Sequence, residues 1–384
     1  MWRENVLNLL KMSLWGNDIE INGSILNKTY EEMKRHAIIA IPAAILSDLP
    51  LSTELYETWK KSILYQLAYY GKYTYIQEML PVSVPYVILK GTSAAQYYPH
   101  PEYRSLGDID IMTRHEDYKS ACIMLLEDGY CETTDRCDHD RGRHRTFEKN
   151  NIIVEVHAFF ASMNDPVKAR IFDDLIIEHI NNDHILPDMI NGLVLIEHIN
   201  QHMEEGIGLR QVIDWMMFVD KCLPDQRWEE FQLFASATGL EKLAVSLTRM
   251  CEIYLGLSEH RWCAGVDKQL CSDMMDYYMS SGNLGQSLDQ KEQTAVVRGA
   301  KIRHPVSLIK ELQDRGIRNW TGAKNPVLRP FAWIWQGIQF VRSTPGIVGG
   351  YKNANKLDNL FEALDVKRIE KGLVYYKDGK YYKK

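Results

Sequence analysis

The sequence predicts an α+β protein in which a small sheet-forming core lies between helical segments. Three observations carry this. Leu7, Leu10 and Leu14, then Leu64, Leu67 and Tyr70, recur at three- and four-residue spacing before residue 80. Between about 86 and 160 the pattern shortens to β-branched runs with a period of two. From about Val167 to residue 345 the helical spacing returns, punctuated by Pro187, Pro224, Pro305, Pro326 and Pro330.

A chain of 384 residues is long enough for two or three domains. The divisions expected are an N-terminal helical segment (1–80), a core (81–165), a larger all-helical region (166–345) and a C-terminal tail (346–384). Pro81 and Pro85 close the first segment. Tyr86–Leu89 reads as a buried strand stopped by Lys90-Gly91. A short helix from Thr92 to Tyr98 follows. Asp108–Thr113 is a second strand, with Ile109 and Ile111 on one face and Asp108 and Asp110 on the other. Glu116–Asp128 is an amphipathic helix closed by Gly129. Arg145–Glu148 and Ile152–Phe159 alternate around Lys149-Asn150-Asn151, a hairpin turn. In the tail, Asp378-Gly379 between two tyrosine pairs predicts a terminal hairpin.

Composition narrows the function classes. Hydrophobic residues are 45% and charged residues 25%, which excludes a disordered or collagen-like chain. The net charge of −6 disfavours a long nucleic-acid footprint, which needs clustered Lys and Arg. Seven cysteines at irregular spacing and no apolar leader after Met1 predict free thiols in a reducing cytoplasm. No apolar run approaches the ~20 residues of a membrane span. The aromatic stretch from Leu328 to Arg342 would suit a membrane-surface helix, but a helix packed on the core is the commoner use of such a pattern. The tail from Lys367 is basic, and a solvated tail is its simplest reading.

The chemistry concentrates in Lys90-Gly91-Thr92-Ser93, Arg104, Asp108-Ile109-Asp110 and Glu155. Two aspartates at i and i+2 of one strand repel unless a cation sits between them. Magnesium with phosphate oxygens is the usual resolution. Glu155 has the strand parity to add a third carboxylate, completing a two-metal clamp for phosphoryl chemistry. Gly91 would let the backbone approach a phosphate. Arg104 could clamp phosphate oxygens or pair with a nearby acid. Lys90 could neutralise phosphate, and His157 shares the Glu155 face.

Elsewhere, Glu197-His198-Ile199-Asn200-Gln201-His202 lacks the second-position Glu of a zinc protease. Cys131, Cys137, His139 and His144 match no strong zinc spacing. The charged segment Asp135–Arg145 reads as a loop.

The run Leu89-Lys90-Gly91-Thr92, then Tyr97-Tyr98-Pro99, Arg104, Gly107-Asp108-Ile109-Asp110-Ile111, Gly129-Tyr130 and Val154-Glu155-Val156-His157 resembles the uncharacterised nucleotidyltransferase family. That family belongs to the DNA polymerase β-like nucleotidyltransferase superfamily. The resemblance is tight over 86–160 and looser through Gly208–Trp215. It implies a small mixed-sheet nucleotidyltransferase core and transfer of an NMP from an NTP to an acceptor hydroxyl or phosphate, releasing pyrophosphate. It implies that Gly91 with Thr92 or Ser93 holds the triphosphate, assisted by Lys90 and Arg104, and that Asp108, Asp110 and Glu155 bind two Mg2+ ions. The interval from Gly91 to Asp108 is longer than usual in the superfamily, and Glu replaces its common third Asp. His157, and the helical residues His202, Arg210 and Asp214, are expected on the acceptor side, with Asp214 holding Arg210 as an i,i+4 pair. Two other classes stay open: a catalytically silent nucleotide-binding or interaction module, and an RNA terminal nucleotidyltransferase.

Overall fold

In the computed structural model, β1 (Tyr86–Leu89), β2 (Ile109–Thr113), β3 (Cys131–Thr133), β4 (His144–Lys149) and β5 (Ile152–His157) form one mixed sheet. Their order is β1-β2-β5-β4-β3. β2 and β5 run parallel at the centre, and the other neighbours are antiparallel. The structure describes residues 1–133, 143–204, 206–283, 309, 313, 329–342, 347–368, 374–377 and 380–383.

Strand parity divides the sheet. Ile109, Ile111, Val154 and Val156 enter a small core with Ala121, Cys122 and Leu125 of α5 (Tyr118–Glu127) and Tyr73 of α3 (Thr53–Glu78). The alternate residues Asp110 and Met112 of β2, and Glu155 and His157 of β5, occupy the opposite face. There Met112 joins Val87, Leu89 and Phe160 in the large core that the helices build. The expected α+β architecture is therefore present, with the carboxylate face of the sheet turned toward the helices.

Those helices are α1 (Trp2–Trp15) and α2 (Leu26–Arg35) before the sheet, and α4 (Gly91–Ala95) within it. After it come α6 (Pro166–Ile177), α7 (Asp188–His202), α8 (Leu209–Cys222), α9 (Trp228–Thr238), α10 (Glu241–Leu255) and α11 (Lys268–Ser281). Their starts are written locally. Ser52 accepts the Leu55 N–H, Asp267 that of Leu270, and Asp165 that of Val167 with Pro166 opening the helix. Val6, Leu9 and Leu10 of α1 share the large core with Leu243, Leu247 and Met250 of α10, and the Trp15 indole donates to the Leu255 carbonyl at 2.7 Å. The N-terminal helices and the helices after residue 166 thus bury their apolar faces together.

Two-residue hairpin turns of type I′ need positive φ at both positions. Asn150 and Asn151 adopt φ of 54° and 57° between β4 and β5. Asn151→Gly is expected to stabilise the protein by about 0.5 kcal/mol, since glycine takes positive φ without steric penalty. A denaturant midpoint checks this.

The tail hairpin is also present as β6 (Val374–Lys377) and β7 (Lys380–Lys383). It docks: the Tyr381 hydroxyl donates to Asp173 Oδ2 of α6 at 2.9 Å. Ahead of it, α12 (Arg329–Arg342) and α13 (Ile347–Leu364) follow the expected helical period. In α12, Ala332 is buried while Phe331, Ile334, Trp335 and Ile338 are exposed. No helix among the described residues is long and apolar enough to cross a membrane.

Strand β3 was not expected. Its three residues are exposed or half-buried, so no alternation marks it; pairing with β4 alone defines it. The strand expected over Arg145–Glu148 is β4 and begins one residue earlier, so His144, expected in the charged loop, lies in it. Arg145 grips Glu132 across the ladder at 2.6 Å. Residues 134–142, with Cys137 and His139, lie outside the described residues.

Candidate active site

Asp110 lies in register with Glu155 across the parallel β2–β5 pair. Adjacent strands stand ~4.8 Å apart, so both carboxylates crowd one spot. His157, two residues on, completes the cluster. One ligand atom from each of Asp110, Glu155 and His157 lies within 4.8 Å of the others. Asp108 precedes β2 by one residue and has the same parity as Asp110.

Positive groups already meet these oxygens. Lys90 Nζ is 2.7 Å from Asp110 Oδ1, and His157 Nε2 is 2.9 Å from the same oxygen and 3.4 Å from Glu155 Oε2. The Asp110 side chain is 1% exposed, so its charge depends on these partners. Burial and the neighbouring Asp108 raise the Asp110 pKa to about 6 against the pull of Lys90. Burial would also raise Glu155, but the His157 hydrogen bond and the His157 and Lys90 charges hold it well below the usual carboxylate range. Glu155 is thus ionised: a good cation ligand and a weak base. His157 moves the other way, because its bonds to Asp110 and Glu155 outweigh the burial that would lower it.

The backbone at Lys90-Gly91 is unusual. Lys90 has φ 54° and ψ −139°, a region that non-glycine residues avoid. Gly91 follows at φ 39°, and a Cβ there would lie 2.7 Å from the Tyr73 hydroxyl. That hydroxyl donates to the Asp108 carbonyl at 2.9 Å, fixing the entry to β2. The space beside Gly91 thus holds Tyr73, where a phosphate was expected to approach. Gly91→Ala is expected to cost about 1–3 kcal/mol through φ strain and this contact. Tyr73→Phe removes the clashing oxygen, so the cost of Gly91→Ala should shrink in that background; melting temperatures of the four proteins check it.

The hydroxyls after Gly91 bond inward. Thr92 donates to Gln77 Oε1 at 2.8 Å. Ser93 Oγ lies 2.6 Å from the Lys90 carbonyl and 3.1 Å from Asn191 Oδ1. Asn191 in turn donates to the Ser93 carbonyl and to the Tyr97 hydroxyl. These bonds fasten α4 to α7.

The expected Arg210–Asp214 pair is not formed. Asp214 instead takes Arg104, with Nε at 3.0 Å and Nη2 at 2.6 Å, and the Tyr98 hydroxyl at 2.7 Å. Arg104 Nη1 bonds the Ser105 carbonyl at 3.1 Å. The geometry explains the exchange: a bidentate fork from the loop before β2 satisfies both carboxylate oxygens. Arg104 thereby anchors that loop to α8. Arg210 Nη1 reaches the Ser105 carbonyl at 3.3 Å. On α7, the His198 and His202 rings stand 5.1 Å apart and perpendicular. Burial first, then the Lys90, His202 and Arg210 charges, keep His198 neutral.

In the sequence His144 stands only within a weak zinc-like spacing and a charged loop. It sits opposite His157 in the β4–β5 register, with Nε2 3.8 Å from Glu155 Oε1. Burial and the His157 charge lower it to about 4. Hairpin parity was the signal that could have found it.

The family model for uncharacterised nucleotidyltransferases matches residues 26–256. The chain belongs to that family. No curated protein and no solved structure matches it. The matched range takes in the sheet, the N-terminal helices from α2 and the helices through α10, so the Asp110–Glu155 face and the α7–α8 pair both fall within it. General nucleotidyl transfer, with an NTP as substrate, is the activity that membership supports.

Proposed function

We propose that the protein transfers an NMP from an NTP to an acceptor hydroxyl or phosphate with release of pyrophosphate, using magnesium. The observation that supports it most is the in-register Asp110–Glu155 pair on adjacent parallel strands of a nucleotidyltransferase-family chain. The residues fit a divalent cation: two carboxylates and an imidazole converge, and the Asp110 oxygen already draws an ammonium and an imidazole. Asp110 and Glu155, with Asp108 at the strand's mouth, would hold the two ions. When bound, these would stabilise charge developing on the transferred phosphate.

The chain's own groups prepare that site. His157 bridges Asp110 and Glu155 and sets their orientation. Lys90 screens the carboxylates from one another and places a second positive charge where the triphosphate would arrive. Gly91, Thr92 and Ser93 act through the fold of the turn, holding α4 against α3 and α7. Arg104 and Asp214 act through the loop that carries Asp108. The α7–α8 side, with His202 and Arg210, receives the acceptor. The Lys90–Asp110 ion pair also favours a second reading, a nucleotide-binding module without turnover.

Glu155→Gln separates the two. As an enzyme, the wild type should release pyrophosphate from at least one NTP in a magnesium-dependent manner, and Glu155→Gln should lose more than about 100-fold of that rate. As a silent module, both proteins would bind the NTP equally and release none.

A further inference from the structure

Arg210 makes no ion pair among the described residues. It opens α8, and its Nε is buried with no hydrogen-bond partner. Its bond to the Ser105 carbonyl, at 3.3 Å, is long. Asp214, one helical turn on, has both oxygens occupied by Arg104 and Tyr98. Among the described residues no carboxylate pairs with Arg210. Burial and the Arg104 charge push its guanidinium below the ordinary arginine value, against the pull of Asp214 and Asp108. A half-buried guanidinium held by one long hydrogen bond keeps donors free for an anion.

Its surroundings say what kind of anion. Arg210 bonds the same Ser105 carbonyl as Arg104, three residues before Asp108. Lys90, Arg210 and Arg104 all press positive charge on His198 of α7. Lys90 and Arg104 are each taken up in an ion pair, with Asp110 and Asp214, whereas Arg210 is in none among the described residues. A guanidinium fork with its Nε edge unused matches two oxygens of a phosphate.

We infer that Arg210 binds a phosphate group of a ligand on the α7–α8 side of the Asp110–Glu155 face. The inference rests on the nucleotidyl-transfer reading for its two possible sources: a phosphate on the acceptor, or the NTP's own triphosphate.

Thermal unfolding of the full chain, with inorganic phosphate titrated at constant ionic strength, tests it. Phosphate should raise the wild-type melting temperature saturably. Arg210→Met should abolish the rise, and Arg210→Lys should weaken apparent phosphate affinity by about tenfold. Without ligand, Arg210→Met should melt no lower than wild type, because it removes a half-buried charge that makes no ion pair, at similar volume. Repeating the titration with saturating MgATP identifies the source. A rise that persists assigns the pocket to a phosphorylated acceptor. A rise that disappears assigns it to the triphosphate, and moves the acceptor elsewhere. An identical rise in wild type and Arg210→Met, or no rise in wild type, would overturn the inference. Failure of MgATP to bind at all would instead count against nucleotidyl transfer, leaving an Arg210-dependent phosphate rise intact.

Discussion

Asp110→Asn is expected to abolish nucleotidyl transfer and to destabilise the protein by about 3 kcal/mol, whereas Asp108→Asn should abolish transfer with little or no loss of stability. Carboxylate repulsion alone would make both substitutions neutral or stabilising. The structure separates them. Asp110 is buried against Lys90 and His157, so its loss strands a buried ammonium. Asp108 is half-buried and makes no ion pair among the described residues. Chemical denaturation beside a turnover assay checks both halves. Equal stability of the two variants would mean that the Lys90–Asp110 pair contributes nothing to folding.

Asp214→Ala should have the largest effect on stability, a loss of about 3–5 kcal/mol. It leaves Arg104 as a buried guanidinium without a carboxylate, and frees the loop that enters β2. Because that loop positions Asp108, any folded fraction should lose kcat more than NTP affinity. Arg104→Met in the Asp214→Ala background should recover part of the stability, since replacing a whole buried pair costs less than breaking it. No recovery would show that Arg104 is not the partner that matters.

Much of this was legible in the sequence. The β-branched runs at 86–89, 109–113 and 152–157 gave three strands their places, and parity put Asp110 and Glu155 on one face. Asn150-Asn151 marked the hairpin by chemistry alone. What escaped was non-local. The spacing of Arg210 and Asp214 made a local helix pair the natural expectation, but Asp214 pairs with Arg104, 110 residues away in the chain. Thr92 and Ser93 looked available for phosphate because Gln77 and Asn191 reach them from other helices. Lys90 read as a phosphate ligand, and its bond to Asp110 depends on a backbone conformation that sequence rules disfavour for lysine. His144 went unread because its place opposite His157 follows from the hairpin register.

Nucleotidyl transfer at the Asp110–Glu155 face can be followed by the fate of the NTP's phosphorus atoms. The most direct measurement incubates the full chain with magnesium, a small-molecule and protein extract as acceptor, and NTPs labelled at either the α- or the γ-phosphorus. Label should enter product from the α position only, with γ label leaving as pyrophosphate, and Asp110→Asn should give no product. Label entering from the γ position, or equal product from wild type and Asp110→Asn, would contradict nucleotidyl transfer at this face.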